Sequence, residues 1–210
     1  MAGGIKYAAL VLLAVAAFGS TLDLTRGRRI EAARTVLTNP SRVGRDQLLA
    51  GWEHRGGHAP SGLSNTAPPE ALPLAALWID QAAALPQPLQ QRALAHADAL
   101  LANVRGVRPE APGASLLQVR ADLVRYGRPR RSTMTTFAAS YDQAGFLRDE
   151  GMWRLAFAAV YWHALPEKTR AAAVNEAVWL ARIDGRLRTA VDQLVTGTPL
   201  ALPVELRLLS

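Results

Sequence analysis

From residue 70 onward, prolines and glycines return at short intervals: Pro86, Pro88, Pro109, Pro112, Gly127, Pro129, Gly145, Gly151, Pro166, Gly185 and Gly197. Proline lacks the N–H that a helix interior needs, and glycine loses the most backbone entropy on ordering, so both punctuate helices rather than continue them. Between these joints the apolar residues follow helical spacing. Val174, Ala177, Val178 and Ala181 fall at i, i+3, i+4 and i+7, and Leu187, Ala190, Val191 and Leu194 repeat the pattern. The spacing predicts helices over about 70–85, 88–105, 113–126, 132–144, 150–165, 166–184 and 186–196. Pro166 is placed at the first helical position of its segment and Gly185 just past the end. The predicted fold class is all-α.

Helices this short cannot bury their apolar stripes alone, so neighbours are expected to pair as antiparallel hairpins and the hairpins to stack. The spacing Ala97-x3-Leu101-x2-Val104-x4-Pro109 resembles the second helix of a tetratricopeptide repeat with its closing proline. The stretch from Leu116 through Val119 and Leu123 to Gly127 resembles a first helix, with Arg120 where that family carries a small residue. Thr133, Phe137 and Ser140 match a following second helix, and Trp153, Ala156, Phe157 and Val160 another first one. The resemblance covers about residues 70–184 and implies a non-catalytic scaffold that presents a binding surface. A W-R-x-x-F…W-x-x-L-P…R…E pattern, carried by Trp153, Arg154, Phe157, Trp162, Leu165, Pro166, Arg170 and Glu176, is similar to small membrane-anchored proteins of bacterial exopolysaccharide and O-antigen clusters. That similarity implies a role in making or exporting envelope polysaccharide.

The stretch Met152–Leu165 holds two tryptophans, a tyrosine, a phenylalanine and one charge. As a helix it is about 21 Å long, too short to cross a bilayer. It is expected to be a core helix, with Trp153, Phe157, Val160, Trp162 and Trp179 as anchors of the 150–184 region.

Residues 7–22 carry no charge, with Lys6 before them and Arg26, Arg28 and Arg29 after. The run is near the lower limit of a transmembrane helix, and the segment 1–26 is read as an anchor or a signal segment with small residues suited to cleavage. The export-like start puts the bulk of the chain in the periplasm, held to the bacterial inner membrane by a single pass; the arginines after the segment argue for the opposite orientation. Residues 27–69 form two short helices and a Gly/Pro-rich linker, 70–197 the helical domain, and 198–210 a tail. Pro199 and Pro203 in that tail, with period-two alternation after them, predict an extended segment lying on the last hairpins with its leucines inward, or taken up by a partner through Leu202, Val204, Leu206 and Leu208.

The net charge of +7 is almost all arginine, since Lys6 and Lys168 are the only lysines, and it is spread along the chain rather than gathered on one face. That excludes a nucleic-acid surface as an expectation. Cysteine is absent, so disulfides and thiolate metal sites are excluded outright. Glu53, His54 and His58 flank a Gly-Gly break and lack the fixed geometry of a metal site. Arg125, Arg128, Arg130 and Arg131 crowd one interhelical turn, where their guanidinium forks suit an acidic glycan, a lipid headgroup or an acidic protein face. His96 and His163 each lie alone on a helix, and Asp149 and Glu150 are expected to cap the aromatic helix. No cofactor is implied and no catalytic motif is present. The expected function is a membrane-tethered scaffold that binds another envelope protein; the alternative is an envelope enzyme acting on glycan or lipid through Glu53, His54 or the turn arginines.

Overall fold

The computed structural model describes residues 68–209. The anchor segment, the residues that follow it and the Glu53/His54/His58 group lie outside them. Among the described residues every regular element is helical: α1 (Pro68–Ala82), α2 (Gln87–Val107), α3 (Pro112–Tyr126), α4 (Arg131–Gln143), α5 (Gly151–Val160), a 3-10 turn (Trp162–Ala164), α6 (Glu167–Ile183), α7 (Gly185–Val195) and α8 (Ala201–Leu209). The fold is all-α, as the breaker spacing predicts. None of the described helices is long and apolar enough to cross a membrane.

The prolines and glycines sit at the joints for local reasons. Pro112 opens α3, where its missing N–H costs no helical bond. Gly127 closes that helix in the left-handed region at φ 67°, with its N–H donating to the Leu123 carbonyl at 2.8 Å. Gly185 departs from expectation. It is the first residue of α7 rather than the stop of α6, and Asp184 caps it by accepting from Arg186 N at 2.8 Å. Pro166 likewise stands one position earlier, at the N-cap of α6.

α1 packs on α2 and α3, and α2 on α3; α3 then pairs with α4. Beyond the 144–150 loop, α5 packs on α6 and α7, while α6 also holds α7, α8 and part of α4. Two apolar cores result. The first lies among α1, α2 and one side of α3 and is made of leucines and alanines around Trp78. The second gathers Leu116 and Val119 of α3 with Phe137, Leu155, Phe157, Ala177, Leu180, Val191, Leu200 and Val204.

The aromatic stretch is a core helix only as far as Val160, and it breaks at Tyr161 into the 3-10 turn. Phe157 is buried, 4.3 Å from the Phe137 ring. Trp153, Trp162 and Trp179 are half-buried at the rim of the core. Val160 is not an anchor: it is 73% exposed. The buried face of α5 runs through Gly151, Arg154, Leu155 and Ala158 at i, i+3, i+4 and i+7, and Val160 falls on the opposite side.

The tail is not extended. Residues 201–209 form α8, because Pro203 stands within the first turn, where a backbone N–H has no helical partner to lose. The first i→i−4 bond runs from Val204 N to Leu200 O at 3.2 Å. Docking on the last hairpins does occur, with Leu200 and Val204 buried and Leu208 half-buried against α6. Leu202, Leu206 and Leu209 point outward instead. Of the four tail residues expected to meet a partner, Val204 and Leu208 therefore belong to the core, while Leu202 and Leu206 face solvent.

Candidate functional site

Arg154 is the single charge of the aromatic stretch, and α5 carries it straight into the second core, where its side chain is fully buried. A guanidinium there must find acceptors for its donors. Nε donates to Glu176 Oε2 of α6 at 3.0 Å. Nη1 donates to the carbonyls of Ser140 (3.3 Å) and Ala144 (2.9 Å), and Nη2 to that of Gly145 (3.1 Å). These carbonyls close the C-terminus of α4, the end a cation complements. The guanidinium also lies over the Tyr141 ring, 3.6 Å from its centre. Glu176 is equally sealed, and its second oxygen accepts from Leu147 N at 2.9 Å.

Burial raises the Glu176 carboxyl above the ordinary carboxylate range, opposed by the charge of Arg154 and the Leu147 N–H. Burial likewise pushes the Tyr141 hydroxyl far above the usual phenol value, with the Glu176 charge adding to it. That hydroxyl feels both charges of the pair but makes no hydrogen bond of good geometry to either. No reactant could reach this clasp. Its effect is positional: it fixes the 144–150 loop by the carbonyls of Ala144 and Gly145 and the N–H of Leu147, and ties it to α4 through Ser140.

The pinned loop forms one wall of a cavity of about 680 Å³. The α2–α3 turn, broken by Pro109 and Pro112, forms the opposite wall, and Leu72 of α1 and Leu147 of the loop supply apolar surface. Arg108, Glu110 and Glu150 bring charge to its open mouth, all three exposed to solvent. Glu150 was expected to cap α5 with its carboxylate. It gives the helix only its carbonyl, which accepts from Arg154 N at 3.0 Å, while its carboxylate lies over Gly113, 3.8 Å from where a Cβ would stand.

The four turn arginines do not act together. Arg125 turns inward, donating to Asp98 at 2.6 Å and Asp122 at 3.3 Å, and the same acids bind Gln118. Thr133 ties the turn to this network through Asp122 at 2.9 Å and accepts from Arg130 N at 3.2 Å. Arg130 stacks on Tyr126, 3.4 Å from the ring centre. Arg128 and Arg131 stand exposed on the same turn. His96 is buried with its ring 4.7 Å from that of Trp78, while His163 and Asp149 are exposed. Among the described residues no group of His, Asp and Glu has the arrangement of a metal site.

The sequence reading named Arg154 and Glu176 only as parts of a resemblance and missed that they are partners. A usable signal was present: one arginine inside an apolar helix, and one glutamate beside the apolar stripe of the next, each needing the other. The cavity left no such signal, because its wall residues come from three separate places in the chain. Comparison with known proteins found no matching family model, no similar curated protein and no similar solved structure.

Proposed function

We propose that this chain is a non-catalytic, membrane-tethered helical scaffold whose domain holds a segment of another envelope protein, in the assembly or export of envelope polysaccharide. The observation that carries the reading is the open cavity with apolar walls and a charged mouth, one wall of which is held by the buried clasp. Such a recess suits an extended peptide with one or two charged side chains. The neighbour pattern also fits stacked hairpins of the tetratricopeptide kind, since α1 meets α3 and α5 meets α7, each the next helix but one. The tether, the periplasmic placement and the pathway rest on the sequence: the uncharged run 7–22, the export-like start and the Trp153–Glu176 pattern.

A photo-reactive residue in place of Glu110, in the full chain in its own membranes, should yield one reproducible protein adduct. Deleting the gene should change surface polysaccharide. Normal polysaccharide would remove the pathway, and the absence of any adduct would remove the partner.

A second reading, an enzyme acting on glycan or lipid, is favoured by the placement of both Glu110 and Glu150 at one cavity. Glu110→Gln and Glu150→Gln decide between the two. A scaffold keeps its cellular function in both variants to within a few-fold, whereas an acid/base pair loses it.

A further inference from the structure

The end of α6, the start of α7 and the end of α8 meet at one pole of the second core. Arg182 donates to the Arg207 carbonyl at 3.3 Å, which sets the last turn of α8 beside the last turn of α6. α7 begins two residues after Ile183, so its first turn belongs to the same pole. Three arginines, Arg182, Arg186 and Arg188, are exposed there, and none is in an ion pair among the described residues. The ends of α6 and α8 also carry exposed Ile183, Leu206 and Leu209, the last at 87%. Two acids lie nearby. Asp184 is engaged as the cap of α7, and Glu205 is exposed beside Leu206.

Packing does not require these apolar side chains to be where they are. α8 is already held by Leu200, Val204 and Leu208 on its other face. A single exposed leucine needs no explanation, but several large apolar tips on the same helix ends as exposed guanidiniums match one kind of surface closely. At an anionic bilayer, leucine and isoleucine tips enter the acyl boundary while arginine stems snorkel and their heads meet lipid phosphates. The pole is made of helix ends, and its exposed arginines complement an anionic lipid surface, which needs no matching groove to receive the apolar tips.

We infer that this pole is a peripheral membrane contact that lays the α6/α8 end of the domain on an anionic lipid surface. The contact is distinct from the cavity and from any attachment through the N-terminal segment.

The chain has no cysteine, so a single one can carry a polarity-sensitive dye. Leu206→Cys and Leu209→Cys, labelled in the full chain and reconstituted into vesicles, report on this pole alone. In vesicles containing phosphatidylglycerol, both dyes should shift to the blue and be quenched by spin-labelled lipid. The effect should be absent in phosphatidylcholine alone and reversed by salt that shortens screening well below about 10 Å. Arg186→Gln with Arg188→Gln should cut the quenching several-fold, and a dye at Thr135→Cys on α4 should stay in water throughout. Three results would overturn the inference: dyes at 206 and 209 that remain in water in both vesicle types, quenching that ignores lipid charge and salt, or shielding that appears only when membrane proteins are added. The last would assign the pole to a protein partner.

Discussion

The core among α1, α2 and α3 is filled with Leu74, Leu77, Leu94, Leu100 and Leu101 set against Ala71, Ala75, Ala93, Ala97 and Ala121, and no ion pair among the described residues is sealed in it. The core beyond α3 is built around rings, Phe137, Tyr141 and Phe157, and seals an arginine and a glutamate inside it. The difference follows the backbone. Where helices lie side by side, their own ladders satisfy nearly all the N–H and C=O groups between them, Pro73 inside α1 being the exception, and small side chains let the helices approach closely. At 144–150 the chain leaves α4 and turns before α5, so carbonyls come loose inside apolar surroundings. A guanidinium with several donors answers that need, and it brings its own carboxylate with it. The buried charge therefore marks irregular backbone rather than a reactive centre.

Removing one partner of the clasp should do the most damage. Glu176→Ala leaves Arg154 buried and unpaired and should cost about 3 to 5 kcal/mol in urea unfolding. Arg154→Met with Glu176→Leu sharpens the point. If the pair matters only as a pair, the double variant regains most of the loss; if the α4 carbonyls matter as argued, about 1 to 3 kcal/mol stays missing. In the first core, Leu100→Ala should cost about 2 to 5 kcal/mol. Ala97→Leu tests whether the alanines there mark close approach, and overpacking should cost about 1 to 3 kcal/mol. A neutral Ala97→Leu would mean the first core is loosely filled and would end the contrast.

A pH experiment reaches the second core alone. The Tyr141 pKa is raised in the folded state, so its contribution to stability is complete below the unfolded value of about 10 and is lost as pH rises beyond it. Tyrosinate absorbance assigned to Tyr141, by difference from Tyr141→Phe, should appear only with unfolding. Ionisation of Tyr141 in the folded protein near pH 10 would show that the ring is not sealed with the pair. The smallest effect should come from Val160→Ala, within about 0.5 kcal/mol of the parent, because that side chain faces solvent.

The first seven helices, their order and most joints were legible because proline and glycine act locally and the apolar stripes repeat at helical spacing. Gly185 was misplaced by one element because Asp184, a good cap, makes it a beginning rather than an end. The tail misled because Leu200, Val204 and Leu208 satisfy a four-residue spacing, while Val204, Leu206 and Leu208 also satisfy a two-residue one. A single short sequence cannot separate those two patterns; the neighbouring α6 does, by offering one apolar face. Arg125 looked like surface charge because Asp98, its partner, is 27 residues away on another helix.

α3 belongs to both cores. Ala114 and Ala121 line the first, while Leu116 and Val119 line the second. No cut on either side of it yields an intact half: without α3 the α1–α2 hairpin has no cover, and with it removed the ring cluster is open. The two cores are thus joined through a helix that each of them needs, so a substitution that shifts α3 on its Ala114/Ala121 side should be felt by Leu116 and Val119 on the other.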